Sequence, residues 1–232
     1  MYLLTETASP FALERWAAFF ANFGQFAKGF FYTLGISIGA LIVALLIGLI
    51  FGAMSSTHNK VLRGISRVYV EIFQNTPLLV QFVVVFYGIS ILTDGHIMIP
   101  ISLTAILCVG VYTGAYISEI IRTGIEAVPK GQTEAALSQG FTYADTMRII
   151  ILPQAVRTIL PPLTNQVVNL IKNTSTVAII SGADIMFTAK AWAYDTTNYV
   201  PAFAGAAFLY FIMCFPLATW ARRKEEENKK AY

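Results

Sequence analysis

Amides, hydroxyls and a few charges, set deep in apolar sequence, are the residues of this chain best placed to do chemistry. In EIFQNTPLLVQF, Glu71, Gln74, Asn75, Thr76 and Gln81 interrupt a hydrophobic run around Pro77. Further along, Asn165, Gln166, Asn169, Lys172, Asn173, Thr174, Ser175 and Thr176 crowd together. Asn165, Asn169 and Asn173 (or Lys172) recur at helical spacing and form one polar stripe. Such groups are costly at membrane depth, so they face a cavity, a partner helix or each other. The chemistry they offer is recognition of a dehydrated polar solute, or interhelical hydrogen bonding that fixes packing. Pro77 supplies no N–H to the Phe73 carbonyl, which predicts an exposed acceptor near Gln74 and Asn75. Catalysis has less to draw on. Cys108 and Cys214 sit in apolar runs and read as small buried hydrophobes. His58 and His96 have no ligand-spaced partner, and no nucleophile–base pair, metal cluster or phosphate-binding glycine loop is evident.

The elements that must position these groups are set by composition. Hydrophobic residues make up 56% of the 232 and charged residues 12%, with a mean hydropathy of +0.63. A soluble domain would carry about 25% charge, so this is a polytopic membrane protein. Helices of roughly 20 apolar residues are needed to cross, and five are expected, over about 29–57, 68–92, 97–121, 155–181 and 199–221. Gly35, Gly39, Gly48 and Gly52 in the first include pairs at small-xxx-small spacing, which implies close helix packing. The fourth is expected to stay helix-like past Lys172 to about Ser181. A short amphipathic helix over about 9–24 precedes them, with Ser9 as cap, Pro10 in the first turn and Gly24 as stop. Its Trp16, Phe19, Phe20 and Phe23 share a face that lies at the membrane surface or packs on the spans. The opening Met1–Glu6 lacks a basic region, so no cleavable signal peptide is expected. The fold class is an all-α membrane protein of five transmembrane helices, one domain over 1–232, with neither linker nor convincing internal repeat.

Basic residues set the orientation. Lys60, Arg63 and Arg67 follow the first span; Arg122, Lys130, Arg148 and Arg157 follow the third; Arg222, Arg223, Lys224, Lys229 and Lys230 form the tail. These are twelve of the sixteen basic residues, and five spans put all of them on one side. Arg15, Lys28 and Lys190 fall on the other. The expectation is an outer N-terminus, a cytoplasmic C-terminus and a cytoplasmic loop over about 122–153. Glu119 and Arg122, three apart near the end of the third span, read as a structural ion pair.

That loop contains EAALSQGFTYADTMRIIILP. Thr133 is positioned to cap a short helix through Glu134, Ala135, Ala136 and Leu137, and Gly140 to end it in the left-handed region. Thr142 with Asp145 resembles a capping box for a second helix through Met147 and Ile150. Leu152-Pro153 then ends that helix or starts the next. The product is a bent elbow whose small Ala135 and Ala136 admit another surface, with Glu134 as a charge for a basic partner.

The spacing Glu134-Ala135-Ala136, Gly140, Ile150, Leu152-Pro153 resembles the cytoplasmic coupling loop of ABC importer permeases. EIFQNTPLLVQF and LPPLTNQVVNLIKNTSTVAIISGAD are similar to that family's second- and fourth-span motifs, in its polar amino acid group. The resemblance covers roughly residues 25 to 222. Two departures stand out: Gln74-Asn75 replaces a common Arg-Gly, and Asn173 a common Asp. The resemblance implies a permease subunit, not an enzyme, importing glutamine or glutamate, with a basic amino acid or cystine as the alternative. An ion-coupled secondary transporter is the rival outside the family.

The resemblance further implies a homo- or heterodimer of permeases in a bacterial plasma membrane and two ATPase subunits that bind ATP and Mg. An extracellular or periplasmic binding protein would deliver the solute. It implies no cofactor in this chain and no nucleic-acid partner. For an amino acid, Lys172 would complement the carboxylate, Glu71 or Glu119 the ammonium, and the amides a polar side chain.

Overall fold

The computed structural model describes residues 9–230, and the described residues are helical with no strand. Met1–Glu6, read above for a leader, lie outside them. The helices are α1 (Leu13–Ala21), α2 (Phe23–Ser55), α3 (Lys60–Gln74), α4 (Leu78–Leu92) and α5 (Ile101–Glu126). They continue with α6 (Lys130–Ser138), α7 (Leu152–Asn173), α8 (Ile185–Thr196) and α9 (Tyr199–Lys230). A helical turn, Tyr143–Asp145, and a π-helical stretch, Thr146–Ile151, lead into α7, and a 3-10 stretch, Thr174–Ile180, extends it.

The N-terminal helix is shorter than expected. Ser9 and Pro10 lie outside α1, whose N-cap is Ala12. Gly24 does not end it: the break falls at Asn22, and Gly24 lies inside α2. Asn22 stops the helix because its own amide donates back to the Ala18 carbonyl at 2.9 Å. The aromatic face is split. Phe19 is buried against α9, and a Cβ on Gly205 would lie 2.4 Å from its ring, while Phe20 and Phe23 stay exposed. Arg15 donates to the Thr197 carbonyl and to Asn198 Oδ1, so α1 is pinned on the bundle.

Glycines set how the long helices meet. A Cβ on Gly48 would lie 2.4 Å from Ile117, and one on Gly52 2.8 Å from Ile121. Gly110 and Gly114 of α5 receive Val43 and Ile47 of α2 in return. Rising numbers on α2 meet rising numbers on α5, Gly39 with Ile106 and Gly52 with Ile121, so the two helices are parallel. The 3-10 stretch and α7 run back against α5, with Gly182 beside Ile101 and Gly124 beside Ile159. Gly35 makes no such contact, so the sequence's first glycine pair is only half used for packing.

Parallel α2 and α5 require the chain between them to return, which α3 and α4 accomplish as a broken pair bent by 96°. The expected second span at 68–92 is therefore two helices, the first beginning at Lys60. Asn59 caps it, its side chain accepting from the Val61 and Leu62 amides. The third span starts at Ile101 rather than 97, since Pro100 occupies the N-cap, and it continues to Glu126. Phe23–Ser55, Ile101–Glu126 and Tyr199–Lys224 are long and apolar enough to cross a membrane, and the bent pair qualifies taken together. Helix α7 is not among them, because its polar stripe dilutes it.

Gly48→Val drives a branched side chain into Ile117 and should destabilise by about 1–3 kcal/mol, the usual range for overpacking. Thermal unfolding in detergent should show a lowered Tm, while Gly35→Val leaves it unchanged.

Candidate functional site

The elbow forms with Gly140 as its pivot. Gly140 has φ +88°, and the Gly140 amide donates to Leu137 while the Phe141 amide donates to Ala136. These two bonds close a Schellman motif, which satisfies the last carbonyls of α6. The helix starts four residues earlier than expected. Pro129 is its N-cap and Thr133 lies inside it, because Pro129 fixes the extended entry. Thr142 Oγ1 accepts from the Asp145 amide at 3.2 Å and donates to Asp145 Oδ2 at 2.5 Å, half of the expected capping box.

Glu134 and Ala135 are exposed on the elbow, whereas Ala136 is buried inside the chain. The expectation that both alanines admit another surface is corrected: α6 packs against the π-helical stretch, and Ala136 faces inward. Ile150 is half-buried, while Leu152 and Pro153 are exposed. No second short helix ends at Pro153. The chain runs without a break from Tyr143 through the π-helical residues into α7, with Pro153 in its first turn. The exposed apolar groups beside Glu134 and Ala135 are Leu137, Phe141 and Tyr143.

The second-span group sits at the α3–α4 break. Asn75 donates to the Glu71 carbonyl and carboxylate, and Thr76 Oγ1 to the Ile72 carbonyl. Gln74 Nε2 donates across to the Ala115 carbonyl of α5 at 3.2 Å. Pro77 frees the Phe73 carbonyl, but that acceptor is not left exposed as expected. Gln81 Nε2 donates to it at 3.2 Å and to the Thr76 carbonyl at 3.0 Å. Gln81 thus serves the backbone, and Pro77 caps α4 in extended conformation.

Along α7, Asn165, Asn169 and Lys172 share one exposed face. Asn173 is half-buried, so Lys172 completes the stripe. Thr174 turns inward and donates to the Ile171 carbonyl at 2.6 Å, and Ser175 donates to the Lys172 carbonyl. Both hydroxyls donate their protons within the 3-10 turn. Lys172 borders a cavity of 320 Å³ with Met186, Phe203 and Tyr210. Within one chain this is separate from the cleft of Glu71 and Gln74, which lies between α3 and α5 and measures 640 Å³.

Two features escaped sequence reasoning. Arg122 pairs with Glu126 as well as Glu119, and this triad borders the α3–α5 cleft. Asp184 is buried in the turn before α8, accepting from the Met186 and Phe187 amides and from the Tyr210 hydroxyl. Its signal was available, an Asp just before the apolar run IMF, the pattern of a helix N-cap. Burial pushes its carboxyl up to about 6 despite those donors. Among the described residues no group of three or more His, Cys, Asp or Glu could hold a metal.

An apolar helical bundle with a broken α3–α4 pair, a polar face on α7, an exposed elbow and an ion-lined cleft has the make-up of a membrane permease. The chain belongs to the family of binding-protein-dependent transport system inner membrane components, whose model matches residues 44–225. That family is a membrane component of transport systems, so the permease expectation stands and the enzyme reading does not. The chain is 36% identical over 216 residues to the probable glutamine ABC transporter permease protein GlnM of Bacillus subtilis, covering 92% of this chain and 97% of that one. It is 34% identical over 208 residues to the glutamate/aspartate import permease protein GltJ of Escherichia coli K12, covering 82% and 85%. In three dimensions it matches a crystal structure of an amino acid ABC transporter with histidines, with TM-score 0.84 and 31% identity over 91% of this chain and 98% of that one. The inward-facing MetNI methionine ABC transporter, at 16% identity and TM-score 0.69, shares the fold.

Gln81→Leu leaves the Phe73 and Thr76 carbonyls unpaired and should cost about 1–3 kcal/mol; a Tm lowered relative to Gln81→Glu at low pH checks it. For Asp184 the folded value lies above the ordinary 3.8. Its protonated form is therefore favoured by folding, and its contribution is fullest at low pH and lost as pH rises through about 6. Asp184→Asn should flatten the fall of Tm across that window.

Proposed function

We propose that this chain is the permease subunit of an ATP-driven importer for a polar amino acid, glutamine or glutamate. The observation that carries the reading is the Gly140 elbow, held rigid by its Schellman closure and presenting Glu134, Ala135 and Leu137 outward. The glutamine and glutamate/aspartate permeases among its relatives support the substrate class. The solved relative with histidines favours, as a second reading, a basic amino acid on the same architecture.

The chain functions as one transmembrane domain in a bacterial plasma membrane. It crosses five times, by α2, the α3–α4 pair, α5, α7 with its 3-10 extension, and α9. Parallel α2 and α5 with α7 reversed support that count, and the twelve basic residues on one side support an outer N-terminus and a cytoplasmic C-terminus. Two permeases, identical or homologous, pair through faces that include the exposed Asn165–Asn169–Lys172 stripe, which lipid could not accommodate. Two ATPase subunits, binding ATP and Mg, seat on the elbows through Glu134 and Ala135, with Gly140 as pivot and Ile150, Leu152 and Pro153 carrying the motion into α7. An extracellular or periplasmic binding protein delivers the solute.

When the ATPases close, the two elbows approach, and α5 and α7 rotate as rigid bodies about the glycine contacts. Lys172 meets the solute carboxylate, while Asn165 and Asn169 offer amide donors and acceptors.

The test is uptake of labelled glutamine and glutamate into proteoliposomes holding permease, ATPases and binding protein; ATP-independent accumulation by the permease by itself would overturn the reading. Gly140→Val places a β-branched residue at φ +88°, which costs about 1–2 kcal/mol or more. The imported solute per ATP hydrolysed should fall severalfold in this variant. Lys172→Met should slow uptake while the ATPases still co-purify; unchanged uptake kinetics would remove Lys172 from the path.

A further inference from the structure

Helix α3 carries three distinct faces. Ser66, Tyr69 and Gln74 bind it to the bundle, donating to the carbonyls of Phe51, Val111 and Ala115. Val61, Ile65, Val68 and Ile72 recur at helical spacing and are exposed as an apolar stripe. On the third face Lys60, Arg63, Arg67 and Glu71 look across the 640 Å³ cleft toward Glu119, Arg122 and Glu126 of α5. Four ionisable side chains along a helix of 15 residues, about 22 Å, with three more facing them from α5, cannot face acyl chains. The cleft therefore holds water. One end lies at Ser55, Lys60 and Glu126, close to the elbow; the other reaches Gln74, at the break between α3 and α4. It joins the point where the second crossing is interrupted to the face that bears the elbow.

The two walls carry opposite imbalances. On α5, Arg122 is shared between Glu119 and Glu126, leaving one negative charge in excess. On α3, Arg67 makes a long contact of 3.9 Å with Glu71, and both side chains remain more than half exposed. Among the described residues neither Lys60 nor Arg63 has an acidic partner. A solute with an ammonium at one end and carboxylate at the other can bridge such walls. The lining as a whole carries four positive and three negative charges, so a second carboxylate on the solute is matched and a second ammonium is not.

We propose that this cleft is the inward end of the translocation path, and that Arg63 and Arg67 select a side-chain carboxylate over the corresponding amide. The inference rests on the amino acid permease reading above and narrows it to acidic amino acids. Glu119 and Glu126 receive the ammonium, Arg122 holds their carboxylates in register, and the α3 arginines receive the carboxylates of the solute.

Two measurements test it separately. Arg67→Cys, against a background in which Cys108 and Cys214 are buried, should react with a membrane-impermeant maleimide added on the elbow side. Failure to react, or reaction from the opposite side alone, overturns the aqueous passage whatever the solute. Uptake of labelled glutamate and glutamine is then compared in proteoliposomes of the complete transporter. Arg63→Gln with Arg67→Gln should lower glutamate uptake about tenfold relative to glutamine through a raised KM, the loss of roughly one charge-assisted hydrogen bond. Lysine at both positions should restore most of it. An equal loss for both solutes, or none, overturns the selection. A wild-type transporter that imports neither solute overturns the amino acid reading and the selection with it, while the labelling result still decides the passage.

Discussion

A backbone carbonyl inside a bilayer must find a donor within the protein, since no water is there to supply one. At the break between α3 and α4 that requirement falls on side chains, Thr76 for the Ile72 carbonyl and Gln81 for two more. Pro77 cannot donate, so the Phe73 and Thr76 carbonyls both turn to the Gln81 amide, one turn into α4. These side-chain donors make the 96° bend tolerable. The bend has two consequences. It frees α3 to lie along α5 with a charged face open, and it lays Leu78 and Phe82 of α4 against Val177 and Ile180 of the 3-10 stretch. The cleft and the packing of the 3-10 stretch both descend from it.

The other fixed point is the contact between α2 and α5. Lipid tails are as apolar as leucine, so hydrophobic burial gives helices little reason to associate in a membrane, and close van der Waals packing must do so. Each helix lends glycines to the other's branched residues: Gly48 and Gly52 receive isoleucines of α5, and Gly110 and Gly114 receive Val43 and Ile47. Interlocking in both directions resists sliding as well as separation. Such a pair turns as one rigid body, and internal motion must be sought in the elements hung from it.

How far this was legible in the sequence follows from the range of each signal. Helix class, glycine packing, the left-handed Gly140 and the helical run past Lys172 are local or composition-driven, and residues at fixed spacing announce them. Proline positions were seen, but their consequences were not fully drawn. Residues 68–92 read as one span because nothing local in the sequence shows that the chain breaks by 96° at Pro77. That Gln81 would answer the freed carbonyls depends on its lying one turn beyond the proline, a pairing across eight residues. Ala136 turned inward because α6 rests on the π-helical stretch, a tertiary contact that no spacing within EAALSQG encodes. Thr174 and Ser175 belong to the polar cluster of the sequence, yet their hydroxyls donate to carbonyls three residues back. A hydroxyl that can satisfy itself locally is poor evidence for a cavity. The arginines at 63 and 67 were read by position as anchors of orientation, which hid that they face carboxylates of α5.

The path from elbow to stripe is built from elements of unequal stiffness. Helix α6 is a closed unit, its last carbonyls tied by the Schellman bonds and its inner side seated through Ala136. Beyond Gly140 the chain does not resume as a plain α-helix. Thr146–Ile151 is π-helical, an arrangement uncommon in proteins and frequent where function needs an adjustable turn. Its six residues contain the buried Thr146, whose hydroxyl has no hydrogen-bond partner among the described residues. Directly after it the helix tightens, passes Pro161 and Pro162, and carries Asn165, Asn169 and Lys172 on one face. On the proposed reading, a push on α6 reaches the stripe through the one stretch whose hydrogen-bond register can shift by a residue without unfolding. A straight α-helix in that place would transmit translation and resist rotation. A π-helical stretch lets the elbow turn α7 about its own axis, which is the motion that swings a polar face into or out of a central cavity.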